Sequence, residues 1–219
     1  MRRLIDNLKN LIFFKLATIY LRYIIGFAFV FASIVKIKGE RFTQISVTDP
    51  VGYFFEAMYQ SGFYWNFLGV SQFVAGALLM SQRFSTIGAA AFFPIILNVF
   101  MITTSVNFGG GTPIVTGLML LGTIYLLIWD YKKYAILLQR DHTIFLNLTA
   151  EPEDKFMTDP IWTITGITFL VITMAMHLIP ENSRSIALFP LTISLFLVGV
   201  GAFAIAMVRK KRRSSQPRL

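Results

Sequence analysis

The chain has 219 residues, of which 55% are hydrophobic and 14% charged, with a mean hydropathy of +0.64. A water-soluble domain carries about a quarter charged residues, so this composition points to lipid as the solvent and excludes a disordered chain, a coiled coil and a nucleic-acid-binding domain. The net charge of +9 suits Lys and Arg in membrane-flanking loops, and the lack of Cys excludes disulfides, thiolate nucleophiles, iron–sulfur clusters and Cys-ligated zinc.

Residues 2–14 place Leu4, Ile5, Leu8, Leu11 and Ile12 on one helical face and Arg2, Arg3, Asp6, Lys9 and Asn10 on the rest. That is the pattern of an amphipathic helix on a membrane surface, and a charged run-in to the first span reads equally well. A hydrocarbon core of about 30 Å takes roughly 20 helical residues. Six apolar runs approach that length: Ala17–Val35, Phe63–Met80, Thr86–Val106, Pro113–Trp129, Ile161–Ile179 and Ile186–Val208. They do not alternate polar and apolar residues, so they read as helices and not as barrel strands. The first is read as retained, because no small-residue cleavage site follows it.

Between the first two spans, Asp49 can cap a helix opening on Pro50, with Val51, Phe54, Phe55 and Met58 on one apolar stripe at the bundle's mouth. Asn107–Gly111 reads as a tight turn, since no GK[ST] follows to make it a phosphate loop. The stretch Tyr131–Asp159 is polar and reads as a linker, with a short strand conceivable at Thr143–Thr149. Lys and Arg divide 15 to 4 between the side holding both termini and the opposite side, with Arg22 inside the first span. The positive-inside rule then places both termini in the cytoplasm. The expected fold is an all-α integral membrane protein, a four-helix transmembrane bundle plus a two-helix C-terminal hairpin. Its parts are the bundle with its N-terminal helix (1–135), a cytoplasmic linker (136–159), the hairpin (160–208) and a basic tail (209–219) that can bind anionic headgroups or simply signal topology.

Polar groups inside spans are costly and therefore informative. Arg22, Gly26, Ser33 and Lys36 share a stripe on the first helix; Gly69, Gln72 and Gly76 share one on the second. Pro94, Asn98 and Ser105 align on the third span and Thr112, Thr116 and Thr123 on the fourth, which together suggest a polar inner seam. Packing accounts for the Thr residues and Ser105. Arg22 and Lys36 can each snorkel to a headgroup region, whereas Gln72 and Asn98 lie too deep for that. Pro94 should free the carbonyl of Ala90. His177 has no acidic or Cys neighbours and His142 lies on the other side, so no metal site is expected. No catalytic constellation is visible.

The first four spans resemble the DoxX family of small bacterial membrane proteins. The resemblance rests on Leu21-Arg22-Tyr23-Ile24-Ile25-Gly26 and Lys36, on Gly69-Val70-Ser71-Gln72 through Gly76-Ala77-Leu78-Leu79, and on Arg83-Phe84-Ser85-Thr86, and it covers residues 17–135. It implies a four-helix bundle in the bacterial cytoplasmic membrane, in some members a subunit of thiosulfate:quinone oxidoreductase or of another redox complex. Gln72 stands where that family commonly has Glu, which leaves a hydrogen-bonding role and removes one needing a carboxylate.

Two functions follow as expectations. One is a redox-associated subunit, at most the membrane part of a quinone-linked oxidoreductase, holding a quinone or other lipophilic small molecule and passing electrons through a membrane or cytoplasmic oxidoreductase partner. The other is a non-catalytic scaffold or transporter-like protein whose seam is packing, with Pro94 and Pro190 a weak echo of broken helices. For the first, Arg22, Gln72 and Asn98 are expected to bind ligand together toward the cytoplasmic half, with Phe27 or Phe73 covering a ring. No nucleic-acid partner is expected.

Overall fold

A computed structural model describes residues 8–138, 154–179 and 181–214. Most of the expected surface helix at the N-terminus, the strand at 143–149 and His142 lie outside them. Among the described residues eight helices are bounded: α1 (Ile12–Ile37), α2 (Pro50–Gln60), α3 (Phe63–Met80), α4 (Ser85–Ser105), α5 (Thr112–Trp129), α6 (Tyr131–Leu138), α7 (Pro160–Leu178) and α8 (Glu181–Ser214). All but α2 and α6 are long and apolar enough to cross a membrane, and no strand is found among the described residues. Exposed Phe67, Val70, Leu118, Val171 and Phe196 give the bundle an apolar outer surface suited to a bilayer. The start of α1 and the end of α8 share one face, here the terminal face; α2 lies at the opposite, far face.

Helix starts follow local chemistry. Asp49 caps α2 by accepting from the Val51 N–H at 2.8 Å, with Pro50 at the first position. Asp159 does the same for α7, accepting from the Ile161 N–H at 3.1 Å before Pro160. The turn into α5 holds Gly110 and Gly111 at φ of +70° and +76°, a region that favours glycine, before Thr112-Pro113.

Helix α1 is the central element. On one side Ile25 and Phe29 pack with Ala75, Leu79, Phe92, Ile96 and Leu126 of α3, α4 and α5. On the other, Ile19, Tyr23 and Val30 pack with Met80, Trp162, Phe169, Ala202 and Ala206. The C-terminal hairpin thus lies flat on the bundle and shares its core. Contact with α3 is close because Gly26 and Gly76 face each other: a Cβ on Gly76 would lie 2.9 Å from the Gly26 carbonyl oxygen. Gly166 of α7 sits against the backbone of Met80, where a Cβ would be 1.8 Å from its carbonyl oxygen.

Two helices run longer than the apolar count gives. Helix α1 begins at Ile12, and its first turns carry Lys15, which is paired with Asp154 at 2.5 Å. The basic segment Arg209–Arg213, expected as a tail, continues α8. Asp159 joins Arg209 Nη1 at 2.7 Å and Arg213 Nη2 at 3.0 Å, and the Arg213 guanidinium also donates to the Lys155 carbonyl at 2.8 Å. Burial works against the charged Asp159 carboxyl, but the Ile161 N–H and the two guanidinium groups outweigh it and hold the carboxyl below its ordinary value. One carboxylate therefore caps α7 and fastens the end of α8.

Candidate functional site

The three residues expected to act together are divided between two places. Gln72 and Asn98 line one cavity of about 740 Å³ between α1, α3, α4 and α5, a volume within the roughly 300–1,000 Å³ range of small-molecule sites. Arg22 does not line it. The cavity lies in the far half of the bundle and not toward the terminal face, with Phe29 and Ala32 of α1 and Thr112, Thr116 and Met119 of α5 in its wall. Phe27 and Phe73, expected to cover a ring, are also elsewhere; Phe29, Phe42, Phe55, Tyr64, Phe67 and Phe108 are the aromatic lining.

The walls are overwhelmingly apolar, and the exceptions are informative. Gln72 is 3% exposed, and its Oε1 is buried without a hydrogen-bond partner. An acceptor in that state costs about 1–3 kcal/mol unless something donates to it. Asn98 lies on the α4 face that opens to the cavity, one helical turn beyond Pro94. Thr103 and Thr116 are joined hydroxyl to hydroxyl at 3.0 Å, and Thr116 also bonds the Thr112 carbonyl at 3.0 Å, so these groups are spent on packing.

Lys36, like Arg22, is a residue that the sequence leaves open to snorkelling. It is 5% exposed and lines the cavity at the far end of α1, beside Gly69, whose missing Cβ would lie 2.8 Å from the Lys36 Cβ. Its Nζ donates to the Ala32 carbonyl at 3.0 Å and lies 4.5 Å from the centre of the Phe42 ring and 5.3 Å from that of Trp65. It does not snorkel. Helix α2 closes the cavity above it: Phe55 and Met58 line the mouth, Phe55 stacks on Phe42 at 5.4 Å, and Arg41 grips Glu56 through Nε at 2.7 Å and Nη2 at 2.9 Å.

Arg22, in contrast, is built into a polar network at the terminal face. Its Nη2 pairs with Asp130 Oδ2 at 2.8 Å and its Nη1 donates to Gln82 Oε1 at 3.1 Å. Thr86 donates to Asp130 Oδ2 at 3.1 Å, and Lys133 Nζ lies 3.2 Å from Oδ1. Gln82 in turn donates to the Ile19 carbonyl at 3.2 Å. Arg22 is 4% and Asp130 6% exposed, so the guanidinium is enclosed by the protein itself. Tyr134 donates to the Thr86 carbonyl at 2.5 Å; burial first and the Asp130 charge second push its phenol up to about 12, with Arg22 pulling the other way. The hydroxyl therefore stays a donor.

His177 bonds the Thr173 carbonyl through Nδ1 at 3.1 Å and packs on Phe31, and no metal-binding cluster exists among the described residues. Comparison with protein families, curated proteins and solved structures gives no match.

Proposed function

We propose that the chain is a multi-pass protein of the bacterial cytoplasmic membrane that holds a lipophilic small molecule in the cavity between α1, α3, α4 and α5. The observation that carries this reading is an apolar cavity of about 740 Å³ holding a buried ammonium and an unpartnered buried amide oxygen. Apolar packing alone has no use for either. Lipid-exposed Phe67, Val70 and Val74 flank it on α3, so a lipophile reaches it from the bilayer.

A quinone is the first ligand class to test. Lys36 Nζ and the Asn98 amide would donate to its carbonyls, Phe29 and Phe67 would flank its ring, and its tail would lie along α3 and α4. The DoxX resemblance of residues 17–135 supports a redox-associated subunit, with an oxidoreductase partner exchanging electrons with the bound quinone. The division of Lys and Arg supports cytoplasmic termini, which puts the cavity in the outer half of the membrane.

The test is extraction of the purified protein followed by mass spectrometry of its retained lipids. Native protein should retain a lipophile, and Gln72→Leu with Asn98→Leu should lose it at unchanged expression, because apolar residues at that depth suit a membrane helix. Retention of no lipophile by the native protein would overturn the reading and leave a scaffold.

A further inference from the structure

We infer that the head of the cavity's ligand is an anion, a carboxylate or a phosphate on a single acyl chain, and that Lys36 is its counter-ion. This rests on the reading that the cavity binds a lipophile and adds the charge of its polar end.

The argument begins with how the protein treats its two buried cations. Arg22, deep at the terminal face, is given Asp130, Gln82 and, through Asp130, Thr86 and Lys133. Lys36, equally buried at the far face, is given one carbonyl and two aromatic faces, and no described carboxylate lies within ion-pair distance. An ammonium carries three donors, and only one of them is used in a hydrogen bond. Aromatic faces favour the charged form without neutralising it. The neighbouring Lys38 is exposed and reaches the His177 carbonyl at 3.2 Å, so the far face offers water to a lysine placed two residues on. Lys36 is turned inward instead, under Phe42 and beside a cavity.

The cavity supplies the rest of an amphiphile's outline. Below Lys36 its wall runs along apolar α3 and α4 residues, Leu68, Val74, Ala75 and Ile95 among them, which suits an acyl chain. Gln72 is three residues from Gly69, the contact of Lys36, and so about 4.5 Å along α3. A hydroxyl near the head, as in a lysophospholipid or hydroxy acid, would satisfy its orphaned Oε1.

The experiment uses the full chain in nanodiscs of neutral phosphatidylcholine, with four titrated probes: oleate, oleoyl lysophosphatidate, methyl oleate and a decyl benzoquinone. At least one anion should bind ten-fold or more tightly than methyl oleate. Lys36→Met should remove that advantage and Lys36→Arg should keep it within three-fold. Oleate ahead of lysophosphatidate would assign a carboxylate head, and the reverse order a phosphate. The ester comparison needs no variant, so it stands even if Lys36→Met does not fold. Methyl oleate binding as well as both anions, or anion binding indifferent to Lys36→Met in folded protein, overturns the inference. Binding of the benzoquinone alone overturns it and leaves the proposed function intact, whereas binding of none of the four overturns both.

Discussion

At the scale of the residue, Arg22 and Asp130 form a buried ion pair. Leaving one partner of a buried pair uncompensated costs about 3–5 kcal/mol, whereas replacing both by apolar residues of similar volume is often neutral. Asp130→Ala should therefore lower the thermal unfolding midpoint in detergent sharply, and Arg22→Met combined with Asp130→Leu should recover most of the loss. A double variant as unstable as the single one would show that Asp130 matters for something other than the Arg22 charge. This pair also marks a limit of sequence reading. Arg22 in an apolar run announces the need for a partner, but Asp130 stands one residue past the end of α5 and 108 residues away, so nothing local connects them. Gln72 and Asn98 stand out in the sequence because an amide in the middle of a long span is costly, and the fold puts both in the wall of one cavity. Lys36 was ambiguous because its burial comes from Phe42 and Trp65, which only the folded chain places over it.

Among the elements, α7 depends on a close approach. Gly166→Ala would put a methyl group into the Met80 backbone and separate α7 from α3, so a marked loss of folded protein in detergent is expected. Gly201→Ala on α8, with nothing within 4 Å, should be neutral or gain up to about 1 kcal/mol. A Gly166→Ala variant as well folded as Gly201→Ala would mean that the contact of α7 with α3 is unimportant. Helix α2 gives a prediction in pH. Hydrogen bonds from Arg41 first and Gln60 second hold the Glu56 carboxyl at about 2, against an ordinary 4.5. Because the folded value is depressed, the latch contributes fully above the ordinary value and is lost as pH falls through about 2. Carboxyl NMR of labelled glutamate should find that midpoint, and Arg41→Gln should raise it toward 4.5. The start of α2 was legible from Asp49-Pro50, a capping residue and a proline with a local mechanism. The end of α8 was not, because Arg209–Arg213 is helical through Asp159, a residue of a different helix's cap.

For the whole molecule, the proposed orientation predicts that single cysteines at Arg212 and Gln44, both exposed, label from opposite sides with an impermeant reagent. Labelling of both from outside intact cells would overturn it. The arrangement around α1 also has a consequence in time. At about 5–20 residues per second, the 108 residues between Arg22 and Asp130 take roughly 5–20 s to synthesise. Through that interval α1 is made but its carboxylate is not, and the guanidinium must stretch toward headgroup water. Nascent chains arrested at Leu120 and at Leu178, the latter long enough to carry Asp130 clear of the ribosome, should therefore differ in the labelling of a cysteine placed at Ala17, which would ride nearer the surface in the shorter chain. Helix α1 is then expected to settle at its final depth only after α5 and Asp130 have emerged.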